Sequence, residues 1–184
     1  MKTLLAASAL ALTAGAALAQ MDGENPMVGG APMLPTNNIV QNAVNSADHT
    51  TLVAAVQAAG LVETLQGPGP FTVFAPTNDA FAALPAGTLD TLLMEENRDQ
   101  LTQILTCHVV GAELFSGPLI EQIGSEDLVA QITTLGGCVI TARIVGDGLQ
   151  LTDENGNTAN VTIADVDQSN GVIHVIDAVL LPAS

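Results

Sequence analysis

The sequence contains no tryptophan and no tyrosine, and only four of its 184 residues are phenylalanine. Cationic residues are also scarce. The sequence has three Lys and Arg residues and 19 Asp and Glu residues, so its formal net charge is −16. A surface this acidic repels phosphate backbones and anionic lipid. The composition therefore argues against nucleic-acid binding and against electrostatic docking on a membrane, and it is compatible with a basic partner or with none.

Long apolar runs are missing after residue 20, so the sequence predicts no transmembrane segment, which would need roughly 20 apolar residues. Residues 1–19 hold one lysine, a short Ala- and Leu-rich run and small residues before Gln20, which is the pattern of a cleaved secretory signal peptide. Its removal takes away Lys2 and changes the net charge from −16 to −17. We therefore expect a secreted protein, located in the periplasm, at the cell surface or outside the cell.

Cysteine is limited to Cys107 and Cys138. In an oxidising compartment an isolated pair most often forms a disulfide, and a bond here would close a loop of about 30 residues and stabilise the fold by roughly 3 to 4 kcal/mol. Two buried free thiols, or a redox or metal site, are the alternatives. The lack of a CxxC spacing argues against a redox or metal site.

The chain after the signal is long enough for one domain with a full hydrophobic core. Residues 20–35 are rich in Gly, Pro and Met without any period, so we predict a flexible arm there and a single domain over residues 36–184. The arm holds Met21, Met27 and Met33 at even spacing, and thioethers bind soft copper ions. Incidental methionines in a Gly- and Pro-rich segment are the simpler interpretation.

The first half of the domain has the spacing of amphipathic helices. Capping residues at 36–37 and at 50–51 precede two apolar helical patterns, and Gly60 follows the second. Further helices are predicted from Thr88 and over the segment RDQLTQILT that precedes Cys107.

Residues 71–81, FTVFAPTNDAF, contain three of the four phenylalanines. The first six residues alternate as a β-strand that ends at Pro76. Thr77 is placed to cap a following helix, and Asp79 lies in its first turn, where a negative charge complements the helix dipole. The segment is therefore either a binding site or a place where the core is assembled.

After Gly111 the apolar pattern changes to a period of two. Five such segments are separated by Gly-Gly, Gly-Asp-Gly and Asn-Gly, which predicts antiparallel strands joined by hairpins. The last segment, GVIHVIDAVLL from Gly171, is apolar at nearly every position. It is therefore predicted to be a central strand that is buried on both faces.

Motifs of catalysis and metal binding are missing. Residues 153–157, DENGN, lack the further glycine and glutamate of a calcium loop and fit a hairpin turn. His49, His108 and His174 are far apart and show no zinc-binding spacing, so each is interpreted as a core or rim residue with satisfied hydrogen bonds. GxSxG, Walker and GxGxxG motifs are not present either. The sequence therefore predicts no enzymatic activity and no cofactor.

Three segments together resemble a known family: FTVFAPTNDAFAALP from Phe71, LTQILTCHVV from Leu101 and NGVIHVIDAVLLP from Asn170. In order and spacing they are similar to the signature segments of the fasciclin-like domain, over about residues 37–182. The resemblance implies an α+β fold in which a twisted antiparallel β-wedge or sandwich packs against a layer of several helices. It also implies that the phenylalanines of the first segment are core residues, and that the domain has an extracellular, adhesion-related role.

One departure from the family pattern lies at Cys107. Relatives usually carry a Tyr-His pair where this chain has Cys107 and His108, and in animal relatives that tyrosine segment is linked with integrin recognition. That partner is therefore not transferred to this chain. We predict that a disulfide to Cys138 replaces the packing of the missing tyrosine.

The expected function is non-enzymatic attachment to a cell-surface or matrix protein or polysaccharide. The alternative is a soluble binding module for a small apolar or glycan ligand. Loops on a rigid scaffold usually carry function. The candidate interaction residues are therefore the exposed parts of the turn Thr77, Asn78 and Asp79 and of the segment around His108.

Overall fold

The computed structural model describes residues 25–125 and 129–183, so the predicted signal peptide lies outside the described residues. The helices in the described part are α1 Ile39–Asn45, α2 Thr50–Ala59, α3 Val62–Leu65, α4 Asn78–Ala82, α5 Thr88–Leu92, α6 Arg98–Thr106 and α7 Ser116–Ser125. The strands are β1 Met27–Val28, β2 Ala31–Pro32, β3 Phe71–Pro76, β4 Val109–Val110, β5 Val129–Thr133, β6 Val139–Val145, β7 Gly148–Thr152, β8 Thr158–Gln168 and β9 Gly171–Ile176. Short 3₁₀ turns occupy Ala47–His49 and Glu95–Asn97. None of the helices in the described ranges has the length and hydrophobicity that crossing a bilayer requires.

Seven strands form one sheet in the order β4-β3-β9-β8-β7-β6-β5. All neighbours are antiparallel except β3 and β9, which run parallel from the pair Phe71↔Gly171 to the pair Pro76↔Ile176. The start of β8 pairs with β7, and the rest pairs with β9, with two register shifts within that pairing. The predicted α+β fold and the antiparallel meander of the last five strands are confirmed. The parallel pair was not predicted.

The two ends of the sheet approach each other, which makes the sheet nearly barrel-shaped. The backbone N–H of Leu135, just after β5, donates to the Val109 carbonyl oxygen in β4 at 2.7 Å. One residue further, the Gly136 N–H donates to the Thr106 carbonyl oxygen at the end of α6 at 3.0 Å. These bonds place the end of α6 against the β5–β6 hairpin.

The predicted disulfide between Cys107 and Cys138 is confirmed and spans the same place, with the two Cα atoms 5.3 Å apart. Cys107 directly follows α6, and Cys138 directly precedes β6. Both cysteines are buried. The bond therefore joins parts of the chain that lie at opposite ends of the sheet order.

Two apolar clusters lie on either side of β3. Val73 and Ala75 pack with residues of α1 to α6, whereas Phe74 packs with α7 and the strands β5 to β9. Phe74 is fully buried and Phe81 is 5% exposed, so these two phenylalanines belong to the core as expected, whereas Phe71 is half-buried and packs against the core. Strand β9 is buried at all six positions, which confirms the prediction of a central strand.

Residues 25–35 differ from the flexible arm that their composition predicted. Strands β1 and β2 form a small hairpin, and Val28 and Met33 are only 3% and 2% exposed. The Gly29 carbonyl oxygen also accepts a hydrogen bond from the Ala47 N–H at 3.2 Å. Because its apolar side chains join the main core, this segment is a part of the folded domain.

The helix termini agree with the sequence in part. Thr77 caps α4, and Gly60 ends α2 in the left-handed conformation with φ of 73°. Helix α1 is capped by Asn38, which lies one residue beyond the predicted caps and accepts from the Gln41 N–H at 2.9 Å. Helix α2 has no cap from its own first threonines, because the 3₁₀ turn Ala47–His49 runs directly into it.

Candidate functional site

The turn after β3 presents one of the predicted interaction residues to solvent. The Thr77 hydroxyl oxygen accepts a hydrogen bond from the Ala80 N–H at 3.3 Å, and its side chain is half-buried. Asp79 is exposed in the first turn of α4, where the helix dipole favours its charge. Asp79 is therefore the most exposed of the three predicted residues in this turn.

Asn78 joins the turn to the neighbouring helix. Its Oδ1 accepts from the Thr51 N–H at 3.0 Å and from the Thr50 hydroxyl at 3.2 Å, while its Nδ2 donates to the Ala47 carbonyl oxygen at 2.8 Å. These bonds satisfy a backbone donor at the start of α2, which has no cap of its own. The side chain of Asn78 therefore anchors the turn and leaves Asp79 in a fixed position.

His108 lies in the interior, contrary to its predicted place in an exposed interaction segment. It is 2% exposed. Its Nδ1 donates to the Ile104 carbonyl oxygen at 2.8 Å, and its Nε2 accepts from the Leu180 N–H at 2.9 Å. These partners define the neutral tautomer, and burial lowers the pKa of His108 to about 4. Its burial agrees with the interpretation as a core residue, but the sequence pattern could not identify the partner, because Leu180 lies 72 residues away.

His174 is fully buried on β9 and stacks on Phe74, with ring centroids 5.6 Å apart. Its Nδ1 accepts from the Asp165 N–H at 3.2 Å, and its Nε2 donates to the Leu114 carbonyl oxygen at 2.7 Å. Burial lowers the pKa of His174. The ring is therefore neutral and has a partner at each nitrogen.

Ser116 and Asp165 bring a hydroxyl and a carboxylate close to His174. These two residues bond to each other, however, and the bond caps a helix. The Asp165 carboxylate accepts from the Ser116 N–H at 2.6 Å and from the Ser116 hydroxyl, at the first residue of α7. The hydroxyl is thus paired with the carboxylate, while the His174 nitrogens bond to backbone groups. In a nucleophile activated by imidazole, the hydroxyl bonds to one histidine nitrogen and the carboxylate to the other. Neither bond is formed here.

His49 is 3% exposed and shares a hydrogen bond of 2.8 Å with the Ser46 hydroxyl through Nδ1. The ring lies near the backbone of Ala75, and its Nε2 has no partner in hydrogen-bond geometry among the described residues. Burial lowers the pKa of His49. The three histidines therefore occupy separate interior positions and do not form one site.

Metal-binding arrangements of three or more His, Cys, Asp or Glu side chains do not occur in the part of the chain that the structure describes. The methionines considered for copper have different surroundings, since Met33 is 2% exposed in the core and Met27 is 58% exposed. Met21 lies outside the described residues.

The DENGN segment forms the turn between β7 and β8, as the hairpin interpretation predicted. The Asp153 Oδ1 accepts from the N–H groups of Asn155 and Asn157 at 2.9 and 2.8 Å. The Asp153 Oδ2 accepts from the Leu181 N–H at 3.0 Å. The carboxylate therefore organises the turn and holds the C-terminal segment against it.

A cleft between α1, α2 and α3 was not predicted from the sequence, and it contains a cavity of about 40 Å³. Buried side chains form its floor, among them Ile39, Leu52, Leu65, Val73 and Leu105. Half-buried side chains form its mouth, namely Val40, Ala43, Val53, Leu61 and Val62. The cleft therefore opens an aliphatic surface to solvent between three helices.

The described residues that line the cleft include no charged side chain and are aliphatic except for Gln57 and His108. Both ring nitrogens of His108 already have partners, so this ring adds no free polar group. An adjoining open groove of about 380 Å³ shares Val40 with the cleft. Its other lining residues are Asn37, Gln41, Val44, Asn45 and Gln66. Together, the cleft and the groove can bury an apolar group of a ligand beside neutral hydrogen-bonding side chains.

Apolar doublets are the sequence signal for this cleft. Ile39 and Val40 are adjacent in α1, and Leu52 and Val53 are adjacent in α2. Consecutive side chains in an α-helix point about 100° apart, so one member of a doublet can lie at the edge of the buried face. Ile39 and Leu52 are buried, whereas Val40 and Val53 remain half-buried at the mouth of the cleft.

Comparison with known proteins places the chain among fasciclin domains. Residues 47–182 match the family model of the fasciclin domain. Protein sll1483 from Synechocystis sp. is 49% identical over 144 residues, which cover 78% of this chain and 73% of the relative. Immunogenic protein MPB70 from Mycobacterium bovis is 38% identical over 145 residues, which cover 76% of this chain and 66% of the relative.

Among solved structures, a FAS1 domain pair from the insect cell adhesion molecule Fasciclin I is similar, with a TM-score of 0.54 and 24% sequence identity. The match covers 68% of this chain and 42% of the insect chain. At this identity the likeness bears on the fold alone.

Proposed function

The chain belongs to the fasciclin domain family, and from this premise we propose that it is a non-enzymatic extracellular domain that attaches to a cell-surface or matrix component. The match over residues 47–182 is the observation that carries the proposal. The FAS1 domain pair of similar fold comes from a cell adhesion molecule. The separate and neutral histidines support a non-enzymatic role, because each one bonds to backbone or to a neighbouring hydroxyl.

The turn at Thr77 to Asp79 is the contact that we propose for attachment. Asp79 projects from a turn that the side-chain bonds of Thr77 and Asn78 hold in place, so little conformational entropy is lost when a partner binds. The net charge of −16 steers basic groups towards this surface. We therefore propose a protein or polysaccharide partner that carries positive charges near its contact with Asp79.

Retention of the mature protein on cells and surface polymers of its own source tests attachment. The protein is displayed in many copies on beads, because one domain binds weakly without avidity. We expect saturable retention, and we expect Asp79→Ala to weaken it about fivefold, which is the size of a contact worth roughly 1 kcal/mol.

Asp90→Ala is the matched control, since Asp90 is also exposed and also lies in the first turn of a five-residue helix. It should be retained like the unmodified protein. If Asp79→Ala is also retained like the unmodified protein, the turn is not the contact. If no form is retained, the attachment function is wrong.

Binding of a small apolar ligand is the second proposed function, and the uncharged aliphatic cleft between α1, α2 and α3 is the observation that favours it. Small-molecule sites are typically concave and apolar, with a few polar groups that orient the ligand. The cleft and the Asp79 turn share no residue. The two proposed functions can therefore be tested separately.

A further inference from the structure

We propose that the cleft binds an uncharged amphiphile that has one slender hydrocarbon chain, with the chain between α1, α2 and α3 and the polar head in the adjoining groove. This inference rests on the second proposed function and specifies its ligand class. The lining of the cleft, its size, the amide groups of the groove and the charge of the protein each restrict that class.

The lining selects a hydrocarbon chain. Val40, Val53 and Leu61 contribute aliphatic carbon at the mouth, and the floor is aliphatic as well except for the His108 ring. Phe, Tyr and Trp do not occur among its described lining residues, so the cleft offers neither an aromatic cage for a quaternary ammonium group nor a stacking platform for a planar ring. A hydrocarbon chain is the ligand group that an aliphatic lining binds best, because contact removes the apolar surface of both from water.

The size of the cavity selects a slender ligand. A single water needs about 10 to 15 Å³, so a cavity of about 40 Å³ holds only a few carbon atoms. A fused-ring ligand is too wide for it. The end of one chain fits, and the next part of that chain can lie along the half-buried valines at the mouth.

The groove selects a neutral head group. Val40 belongs to both the cleft and the groove, so a chain leaving the cleft there meets the groove directly. Exposed amides from Gln41, Asn45 and Gln66 line it. Amide side chains both donate and accept hydrogen bonds, which suits a hydroxyl or ester group.

Charge excludes the ionic alternatives. The described linings of the cleft and the groove contain no Lys or Arg, and the protein carries a net charge of −16. A carboxylate head would therefore be repelled and would find no cation. A cationic head would find no Asp or Glu in either described lining, and it would lose hydration without a charged partner.

Titration with straight-chain primary alcohols from hexanol to dodecanol tests the ligand class by calorimetry. Each methylene that enters the cleft should strengthen binding about three- to fourfold, until the added carbons no longer reach apolar surface. Octanoate and octyltrimethylammonium share the chain length of octanol but carry charged heads. Both should bind about tenfold or more weakly than octanol, octanoate because the acidic protein repels it and octyltrimethylammonium because its head loses hydration without a charged partner.

Ala43→Leu tests the location, because it adds three carbon atoms at the mouth of the cleft and should abolish octanol binding. Ala54→Leu is the matched control, since Ala54 is an exposed residue of α2 outside the described lining. Octanol should bind to this control as it does to the unmodified protein. Val53→Met narrows the cleft from α2. It tests the same placement if Ala43→Leu does not fold.

The outcomes test the ligand class separately from the second proposed function, which is small-ligand binding. If octanoate or octyltrimethylammonium binds as well as octanol, the neutral class is wrong while small-ligand binding stands. If none of the three probes binds saturably, both are wrong. Octanol binding that persists in Ala43→Leu or in Val53→Met overturns the placement in the cleft. The bead-retention assay with Asp79→Ala is independent of all these results.

Discussion

At the scale of residues, the buried histidines give the folded state a dependence on pH. Burial lowers the pKa of His108 to about 4, whereas an unfolded chain has a histidine pKa of about 6.5. As the pH falls below about 6.5, the unfolded state therefore binds a proton that the folded state does not. The stability due to neutral His108 is complete above that pH and is lost towards pH 4, by about 3 kcal/mol in total.

Urea unfolding of the wild type and of His108→Gln at about pH 7 and about pH 4.5 checks this prediction. The wild type should lose about 2 to 3 kcal/mol more than the variant between the two conditions. The lowered pKa values of His49 and His174 act in the same direction, but they are present in both proteins and cancel. Equal losses in the two proteins would contradict the role of His108.

Asn78 should contribute to stability more than its partly exposed position suggests. Asn78→Ala removes the acceptor for the Thr51 N–H and the donor to the Ala47 carbonyl oxygen, so we expect a loss of about 1 to 2 kcal/mol, the usual cost of losing a helix cap. Asp79→Ala next to it is the control and should change the free energy of unfolding by less than about 0.5 kcal/mol. Equal stability of both variants in urea would disprove the anchoring role.

At the scale of elements, the start of α7 depends on a carboxylate from β8. Asp165 has a φ of 57°, which is unusual for a residue other than glycine, and its side chain caps α7 at Ser116. Asp165→Ala removes the acceptor and keeps the unfavourable conformation. We expect a loss of about 1 to 2 kcal/mol and faster hydrogen exchange of the Ser116 amide.

Asp165→Asn is the matched variant, because asparagine tolerates the left-handed conformation and still offers an oxygen acceptor. It should protect the Ser116 amide far better than Asp165→Ala does. If the two variants exchange this amide equally fast, Asp165 does not act as the cap of α7.

Local elements could be predicted from the sequence because local residues determine them. The Thr77 cap, the Gly60 end of α2 and the hairpins of the last five strands follow from spacing and turn residues. The parallel pairing of β3 with β9 joins residues 100 positions apart, as in Phe71↔Gly171. Such a contact depends on the assembled core, and no local pattern specifies it.

The candidate site could be predicted only in part for the same reason. Thr77 and Asp79 occupy the turn that the sequence indicated. His108 was misplaced because its burial depends on the distant C-terminal segment at Leu180. The cleft was missed because the gap between α1, α2 and α3 results from how their apolar faces pack, which the apolar pattern alone does not fix.

At the scale of the whole molecule, the disulfide is the covalent link between the two ends of the sheet order. The Cys107–Cys138 bond has a sequence separation of 31, and a loop of that length is expected to stabilise the fold by about 3 to 4 kcal/mol. The double variant Cys107→Ala, Cys138→Ala should unfold at correspondingly lower urea concentration. Two free thiols per chain in the unreduced, denatured wild type would contradict the bond.

The acidic surface and the family membership together lead to the central claim, which is attachment to a surface component with basic groups. The most direct test is retention of the bead-displayed mature protein on cells and surface polymers of its own source, measured from low to high salt. The account predicts saturable retention that weakens as salt rises, because exposed charges are screened. No retention at the highest display density, even at low salt, would contradict it.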